Sequence, residues 1–292
     1  MGAKVLVLVL GLTVALSWAM PALARAAVGP GPHVCHCEIR NGHSTCTCAK
    51  CFPERDGLSL SEDSLRGQCG DDEAVLRELT AAGLDSLPGG GAEIFEPRVR
   101  RKISHDKADA DRYLSIHRLA HRLGIRSNVT MLYGHIETAE DRIDHMLRVR
   151  ALQDETGGFQ AFIPLAFHPD NNQMRKLPAP SATDTLRVHA VARLMLDNVP
   201  HIKAFWIATG VDVAQLALWY GANDLDGTVQ EERIYHMAGS RTPEALSSAD
   251  IRRLIEAAGR QPIERDTLYR ELEPRTPHAA PAVVNAPSAL LH

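Results

Sequence analysis

The chain has 292 residues, a formal net charge of -4 and 45% hydrophobic residues, enough for one large or two smaller domains with a real core. The small charge, with no long run of one sign, gives no electrostatic case for nucleic acid or an anionic membrane surface. An aromatic content of 5% disfavours an aromatic-rich β-sandwich.

Residues 1–28 read as a signal-like apolar leader. Lys4 is a short positive region, Val5 to Met20 an apolar core, and Pro21 with Ala22-Leu23-Ala24 a small-residue cleavage pattern. The run is short for a membrane span, which needs roughly 20 apolar residues. An uncleaved anchor and a mistranslated stretch fit the same residues. Residues 29–71 form a Cys-rich irregular segment, expected to be no native domain, that holds all six cysteines: Cys35, Cys37, Cys46, Cys48, Cys51 and Cys69. Export would favour disulfides. A reducing compartment would favour a metal reading of Cys46, Cys48 and Cys51 with His36 and His43. No second CxxC follows at zinc-ribbon spacing, so no designed metal site is expected.

From 72 to 272, strand and helix signals alternate. Asp72 to Gly83 has an acidic start, apolar residues at helical spacing and a glycine stop. A strand over Leu84 to Leu87 ends in Pro88-Gly89-Gly90-Gly91. A helix over Lys107 to Leu123 and a strand over Asn128 to Tyr133 follow. Thr138 caps the next helix, to about Glu155, with Glu140 and Asp141 in its first turn. Then come strand Phe159 to Phe167, helix Thr183 to Asp197, strand Ile202 to Ile207, helix Val211 to Tyr220, strand Asp224 to Gly227 and helix Ser247 to Ala258. These strands are apolar runs, as expected for a parallel sheet covered on both faces. The pattern predicts an α/β fold: a (β/α) barrel that is partial, with about five of the eight βα units a closed barrel needs. The Pro- and Ala-rich residues 273–292 are expected to be a disordered tail.

In a barrel, chemistry sits at the C-terminal strand ends. Polar clusters fall there: Gly89, Gly90, Gly91 and Glu93; His135 and Glu137; His168 with Asn171 and Asn172; Asp224, Asp226 and Thr228. The glycines would let backbone approach a ligand, and Glu93 would accept from ribose hydroxyls. The carboxylates near 224 equally suit turns and caps. His117 and His121, i and i+4 on one helix, are expected on the surface, as are His189 and His201.

Several ordered segments carry a family resemblance: LDSLPGGGAEIF, PRVRRKI, TMLYGHIET, LQDETGGFQAFIPLAFHP, ARLMLDN, HIKAFW, GANDLDGTVQEERIYHMAG and ERDTLYR. They closely resemble aminofutalosine synthase, a radical S-adenosylmethionine (SAM) enzyme of the futalosine route to menaquinone. The resemblance runs from Glu73 to Arg270, roughly two-thirds of the chain. The sister cyclic dehypoxanthinylfutalosine synthase shares LPGGGAEI and QDETGGF, whereas FHPDNNQM and HIKAFW are nearer aminofutalosine synthase.

The resemblance implies a radical-SAM-type barrel, a [4Fe-4S] cluster and SAM. The reaction implied is addition of the 5'-deoxyadenosyl radical to 3-[(1-carboxyvinyl)oxy]benzoate, giving aminodeoxyfutalosine, an enzyme activity of the C–C bond-forming transferase type. It implies catalytic roles for His168, Glu137 and His135, and cofactor contacts from Gly89, Gly90, Gly91, Glu93 and Gly134. Arg98, Arg101, Asn171, Asn172, Asp224, Asp226 and Thr228 would hold substrate, the arginines through its carboxylate. Implied partners are the small-molecule substrate and a reductant such as flavodoxin or ferredoxin, with no nucleic acid and no stable membrane partner. The implied compartment is the cytoplasm, against the signal-like leader. Asn223 stands where the family commonly has Asp. The cysteines at i, i+4 and i+7 that ligate the cluster are absent, and so are about three strands before the glycine motif. Metal ligands are therefore expected to be missing and the chain inactive. A frameshift upstream of Glu73 would account for the mismatch. The alternative is an exported Cys-rich protein, disulfide- or metal-binding, with a non-catalytic barrel fragment.

Overall fold

The structure, a computed structural model, describes residues 4–8, 37–40, 43–46, 72–229 and 232–272. The expectations for Cys35, Cys48, Cys51, Cys69, the tail and most of the leader lie outside them. Strand β1 is Lys4–Leu8, and β2 (Cys37–Arg40) and β3 (His43–Cys46) form a separate antiparallel pair. Helix α1 (Asp72–Ala81), strand β4 (Ser86–Leu87), and helices α2 (Pro97–Ile103) and α3 (Ala110–Arg122) follow. The chain continues with β5 (Arg126–Tyr133), α4 (Ala139–Thr156), β6 (Phe159–Ala166), α5 (Ala182–Met195) and β7 (His201–Ala204). Next come α6 (Trp206–Thr209), α7 (Val211–Ala217), β8 (Asp224–Leu225), α8 (Ile234–Met237), α9 (Ser248–Ala257) and β9 (Gln261–Arg265).

All neighbouring strands of the main sheet are parallel, in the order β4-β5-β6-β7-β8-β1-β9. The five strands predicted between Leu84 and Gly227 are β4 to β8, in chain order, with helices between them, which bears out the partial barrel. β4 and β9 form the two edges and are not hydrogen-bonded to each other, yet both line one cavity. The sheet is thus a curled, open barrel. Lys4–Leu8 lies between β8 and β9, with Leu6 level with Asp224 and Ile263. A short apolar, β-branched run suits a buried parallel strand as well as a leader.

The helices pack outside the sheet. One core joins Phe95, Tyr113, Met131, Met146, Phe162, Val188 and Ile202, and a second gathers Trp206, Ile207, Leu218, Leu225, Ile251 and Ile255. Thr138 caps α4 as expected, in a capping box with Asp141, and Gly157 ends that helix at φ 62°.

Four expectations are corrected. Residues 37–40 and 43–46 are regular rather than irregular: β2 and β3 pair with Cys37 opposite Cys46, separated in sequence by Asn41-Gly42, the dipeptide favoured in tight hairpins. The strand expected to reach Ile207 stops at Ala204, because Phe205 is already the N-cap of α6. Short apolar runs do not distinguish strand from buried helix. β9 carries Pro, Glu and Arg rather than an apolar run, so no strand signal marked it. Finally, the histidines expected on the surface are not there. His117 and His189 are buried, and His121 and His201 half-buried.

Two of those histidines form a directed chain. The Thr156 hydroxyl donates to the Leu152 carbonyl at 2.8 Å, so it accepts from His121 Nδ1 at 2.7 Å. His121 Nε2 then accepts from Ser127 Oγ, and Ser127 accepts from His117 Nδ1, both at 2.8 Å. The chain requires His121 to be neutral, with Nε2 accepting, whereas His117 donates from Nδ1. Burial holds the pKa of each at about 4. This chain ties α3 to β5 and α4, a structural role for the i, i+4 pair.

Candidate functional site

A cavity of about 810 Å³ opens at the C-terminal ends of the strands. Its apolar wall is Leu132, Ile163, Leu165 and Phe205; its polar groups come from the loops and last strand positions. Such a cavity, apolar with a few convergent polar groups, is the form a small-molecule site takes.

The glycine turn after β4 contributes Gly89 and Gly90. The Gly89 carbonyl accepts from the Tyr113 hydroxyl at 2.9 Å and from Thr130 Oγ1 at 2.8 Å. A Cβ on Gly89 would stand 2.8 Å from the Val129 backbone, so only glycine lets β4 lie this close to β5. Gly91, at φ 96°, is off the wall. Buried Arg100 fixes this loop, donating to the carbonyls of Ala92 at 2.5 Å, Ile94 at 3.2 Å, Gly91 at 3.2 Å and Ala108. Glu93 lies on the wall at φ 46°, paired with Lys107 at 2.5 Å. Tyr269, at φ 61°, is the other described non-glycine residue at positive φ, and it too lines the cavity. Backbone strain of this kind costs about 1–3 kcal/mol per residue and clusters at functional sites.

His168 and Asn172 reach the wall. His168 Nε2 donates to the Ala208 carbonyl at 2.8 Å, leaving Nδ1 as an acceptor, and its ring meets Tyr235 edge-on at 5.2 Å. Asn172 bonds within its own turn, to the His168 carbonyl and the Met174 amide. Asn171 instead donates to the Met237 carbonyl at 3.0 Å.

The floor is a buried charged cluster. Lys203 Nζ lies 2.8 Å from Asp226 and 3.8 Å from Asp224. Arg265 grips Asp224 through two bonds of 2.9 and 2.7 Å. The Tyr269 hydroxyl donates to Asp224 at 3.2 Å, and its ring lies between the Arg265 guanidinium at 3.6 Å and His201 at 4.6 Å. Burial works against the Lys203 ammonium, but the carboxylates of Asp226 and Asp224 beside it outweigh that and raise its pKa. Burial lowers the His201 pKa to about 4, keeping that ring neutral.

Several predicted residues stand apart from this cavity. The Glu137 side chain is fully buried at the end of β5, accepting from the amides of Gly134 at 2.5 Å and His135 at 2.8 Å and from Arg142 at 2.8 Å. Burial opposes its charge, but the His135 side chain and the amides of Gly134 and His135 lower its pKa to about 2. The His135 ring is equally buried, with Nε2 donating to the Leu132 carbonyl. Gly134, at φ 89°, packs so tightly that a Cβ would sit 2.1 Å from Pro180. Arg98 pairs with Asp141 at 2.7 Å, Arg101 is exposed, and Thr228 is off the wall. Asp224 lies just behind the wall, bonded to Arg265. The cavity thus brings together Gly89, Gly90, Glu93, His168, Asn172 and Asp226, and adds Lys107, Lys203, Tyr235, Arg265 and Tyr269, which motif reasoning missed. A lone lysine inside the apolar segment HIKAFW was the available signal.

The cluster ligands do not fit. No cysteines stand at i, i+4 and i+7, and the described residues include no group of three Cys, His, Asp or Glu able to hold a metal ion. The glycine turn and Glu93 do fit a nucleoside, which needs backbone approach and a hydroxyl acceptor.

Comparison with known proteins gives the lineage. Residues 156–277 match the family model described as the CofH/MqnC C-terminal region. Over 202 residues the chain is 59% identical to aminodeoxyfutalosine synthase of Thermus thermophilus, covering 68% of this chain and 54% of that protein. Over 208 residues it is 46% identical to 5-amino-6-(D-ribitylamino)uracil–L-tyrosine 4-hydroxyphenyl transferase of Methanopyrus kandleri, covering 70% and 56%. The chain therefore spans about half the length of these relatives. The crystal structure of methylornithine synthase superposes with a TM-score of 0.51 at 18% identity, over 66% of this chain and 56% of that one, a likeness of fold. With 59% identity over 202 residues and a match to the family's C-terminal region, this chain corresponds to a C-terminal portion of the aminodeoxyfutalosine synthase family.

Proposed function

We propose that the cavity is the SAM- and substrate-binding half of an aminodeoxyfutalosine synthase site, and that this chain alone does not load the iron–sulfur cluster. One observation carries the reading. Six residues singled out at strand ends, Gly89, Gly90, Glu93, His168, Asn172 and Asp226, lie on one wall of about 810 Å³. Gly89 and Gly90 admit the nucleoside by backbone approach, and Glu93, held by Lys107, accepts from its ribose. His168 offers Nδ1 to the substrate. The cluster would supply the electron that cleaves SAM, and the cysteines to hold it are not in this sequence. The substrate of the complete enzyme is a small aryl enol ether, its reductant a flavodoxin or ferredoxin, and its compartment the cytoplasm. Among the described residues no helix is long and apolar enough to cross a membrane.

Calorimetric titration with S-adenosylhomocysteine, which needs no cluster chemistry, tests the site. We expect saturable binding that Glu93→Gln weakens about tenfold, the value of one hydrogen bond to a charged group. Absence of binding, or an unaffected Glu93→Gln variant, overturns the assignment. Anaerobic reconstitution with iron counting tests the second clause, which a stoichiometric cluster with deoxyadenosine release would overturn.

A further inference from the structure

A ligand carboxylate in the cavity needs a cation able to accept a second anion. The two arginines expected for that role do not stand on the wall: Arg98 is held by Asp141 at 2.7 Å, and Arg101 is exposed elsewhere. The lysine and arginine side chains on the described wall are Lys107, Lys203 and Arg265. Lys203 is enclosed, 2.8 Å from Asp226 and 3.8 Å from Asp224. Arg265 is spent on Asp224 through two bonds. A ligand would win either cation only by leaving a buried aspartate unpaired, a strongly unfavourable exchange.

Lys107 differs on each count. It belongs to the loop between α2 and α3, and its side chain is 51% exposed. Its ammonium has three donors and makes one bond, to Glu93 Oε1 at 2.5 Å. A pair this open to water contributes little net energy, so the ammonium turns toward a second anion at small loss. No described residue donates to Glu93 Oε2, which leaves that oxygen for the ribose. The apolar wall begins beside the pair. The Leu132 amide donates to the Glu93 carbonyl at 2.8 Å, and Leu132 is level with Leu165 on the next strand, both lining the cavity. Two spare ammonium donors next to an apolar shelf match a flat apolar ring that carries a carboxylate.

We propose that Lys107 is the specificity-determining residue for the carboxylate of an aryl substrate, with Leu132 and Leu165 beneath the ring. This rests on the reading of the cavity as a substrate site and names the residue that reads the substrate's charge. The test is calorimetric titration of the full chain with 3-hydroxybenzoate and with phenol, which lacks the carboxylate. The benzoate is expected to bind about tenfold more tightly. Lys107→Met should abolish that preference and leave phenol unchanged, and Lys107→Arg should retain it. Glu93→Gln removes the competing anion, so the benzoate should tighten about threefold, an effect that a purely structural role for Lys107 does not produce. S-adenosylhomocysteine and 5'-methylthioadenosine, with and without an amino-acid carboxylate, form the control pair. If Lys107→Met weakens only the former and spares the benzoate, Lys107 reads the cofactor's carboxylate and the proposal fails. A benzoate preference that survives Lys107→Met, or a wild-type chain with no preference, also overturns it, while S-adenosylhomocysteine binding keeps the cavity reading standing. Failure of every ligand to bind overturns both.

Discussion

Glu137 shows how a residue at a barrel rim can look catalytic and act as a brace. Its carboxylate is fully buried and bonded to two loop amides and to Arg142, which also reaches Asp184 at 3.1 Å. The group that orders the turn after β5 is thus the ionised one. Glu137→Gln keeps the shape, but its NH2 faces donors where an acceptor is needed. We expect a loss of about 2–3 kcal/mol in urea unfolding, the range for hydrogen bonds to a buried charge. Ligand affinity in the folded fraction should be unchanged; a variant as stable as wild type would place Glu137 outside the brace. The motif GHIE gave the position of this residue but not its orientation. Orientation depends on Arg142 from the following helix, a contact that no strand-end rule supplies. The same limit applies at the floor, where Asp226 was legible as a strand-end carboxylate. Lys203, Arg265 and Tyr269 were not, because their meeting depends on which strands become neighbours.

At the scale of elements, the glycine turn couples β4 to β5. Gly89 and Gly90 are adjacent in sequence and both face the cavity, yet their surroundings differ. A Cβ on Gly89 would be 2.8 Å from backbone atoms of β5, whereas a Cβ on Gly90 would meet nothing within 4 Å. Gly89→Ala must push β4 outward and strain the bonds from Tyr113 and Thr130, so we expect about 1–3 kcal/mol of destabilisation, as for overpacking. Gly90→Ala should stay within about 0.5 kcal/mol. Urea midpoints of the two variants measure the contrast, and equal effects would contradict the close approach of β4 and β5. Local signals placed most elements well here: Thr138 and Gly157 bracket α4, and apolar runs mark β5 and β6. They failed where position rather than pattern decides. α2 opens on Pro97 after the cap Glu96, a start signal too short to stand out. β9 is polar because its last residue, Arg265, is an ion-pair partner in the cavity rather than core.

At the scale of the whole molecule, buried neutral histidines set the acid limit. Burial lowers His117, His121 and His201 to about 4 and His145 to about 3. His145 is enclosed against Phe95, with ring centroids 3.9 Å apart, and donates to the Thr130 carbonyl. In the unfolded chain these rings titrate near 6.5. Their folded pKa values are depressed, so their contribution is fully present above about 6.5 and is lost as pH falls through the window down to about 4, and to about 3 for His145. Within that window the unfolded state binds more protons, and each fully buried ring removes up to about 1.4 kcal/mol per pH unit. His121 and His201, half-exposed, contribute less because solvent screens them. Glu137, also depressed, acts only below the ordinary carboxylate range, so a decline that begins above pH 5 isolates the histidines. Protonating His121 at Nε2 would also set a second donor against the Ser127 hydroxyl, which already accepts from His117, loosening α3 from β5 on the outside of the barrel. Urea midpoints recorded from about pH 7.5 to 5 should fall steadily below about 6.5, and His145→Gln should reduce that slope while lowering stability at neutral pH. Constant midpoints over that interval would mean that these rings are open to solvent and that the helices do not seal against the sheet.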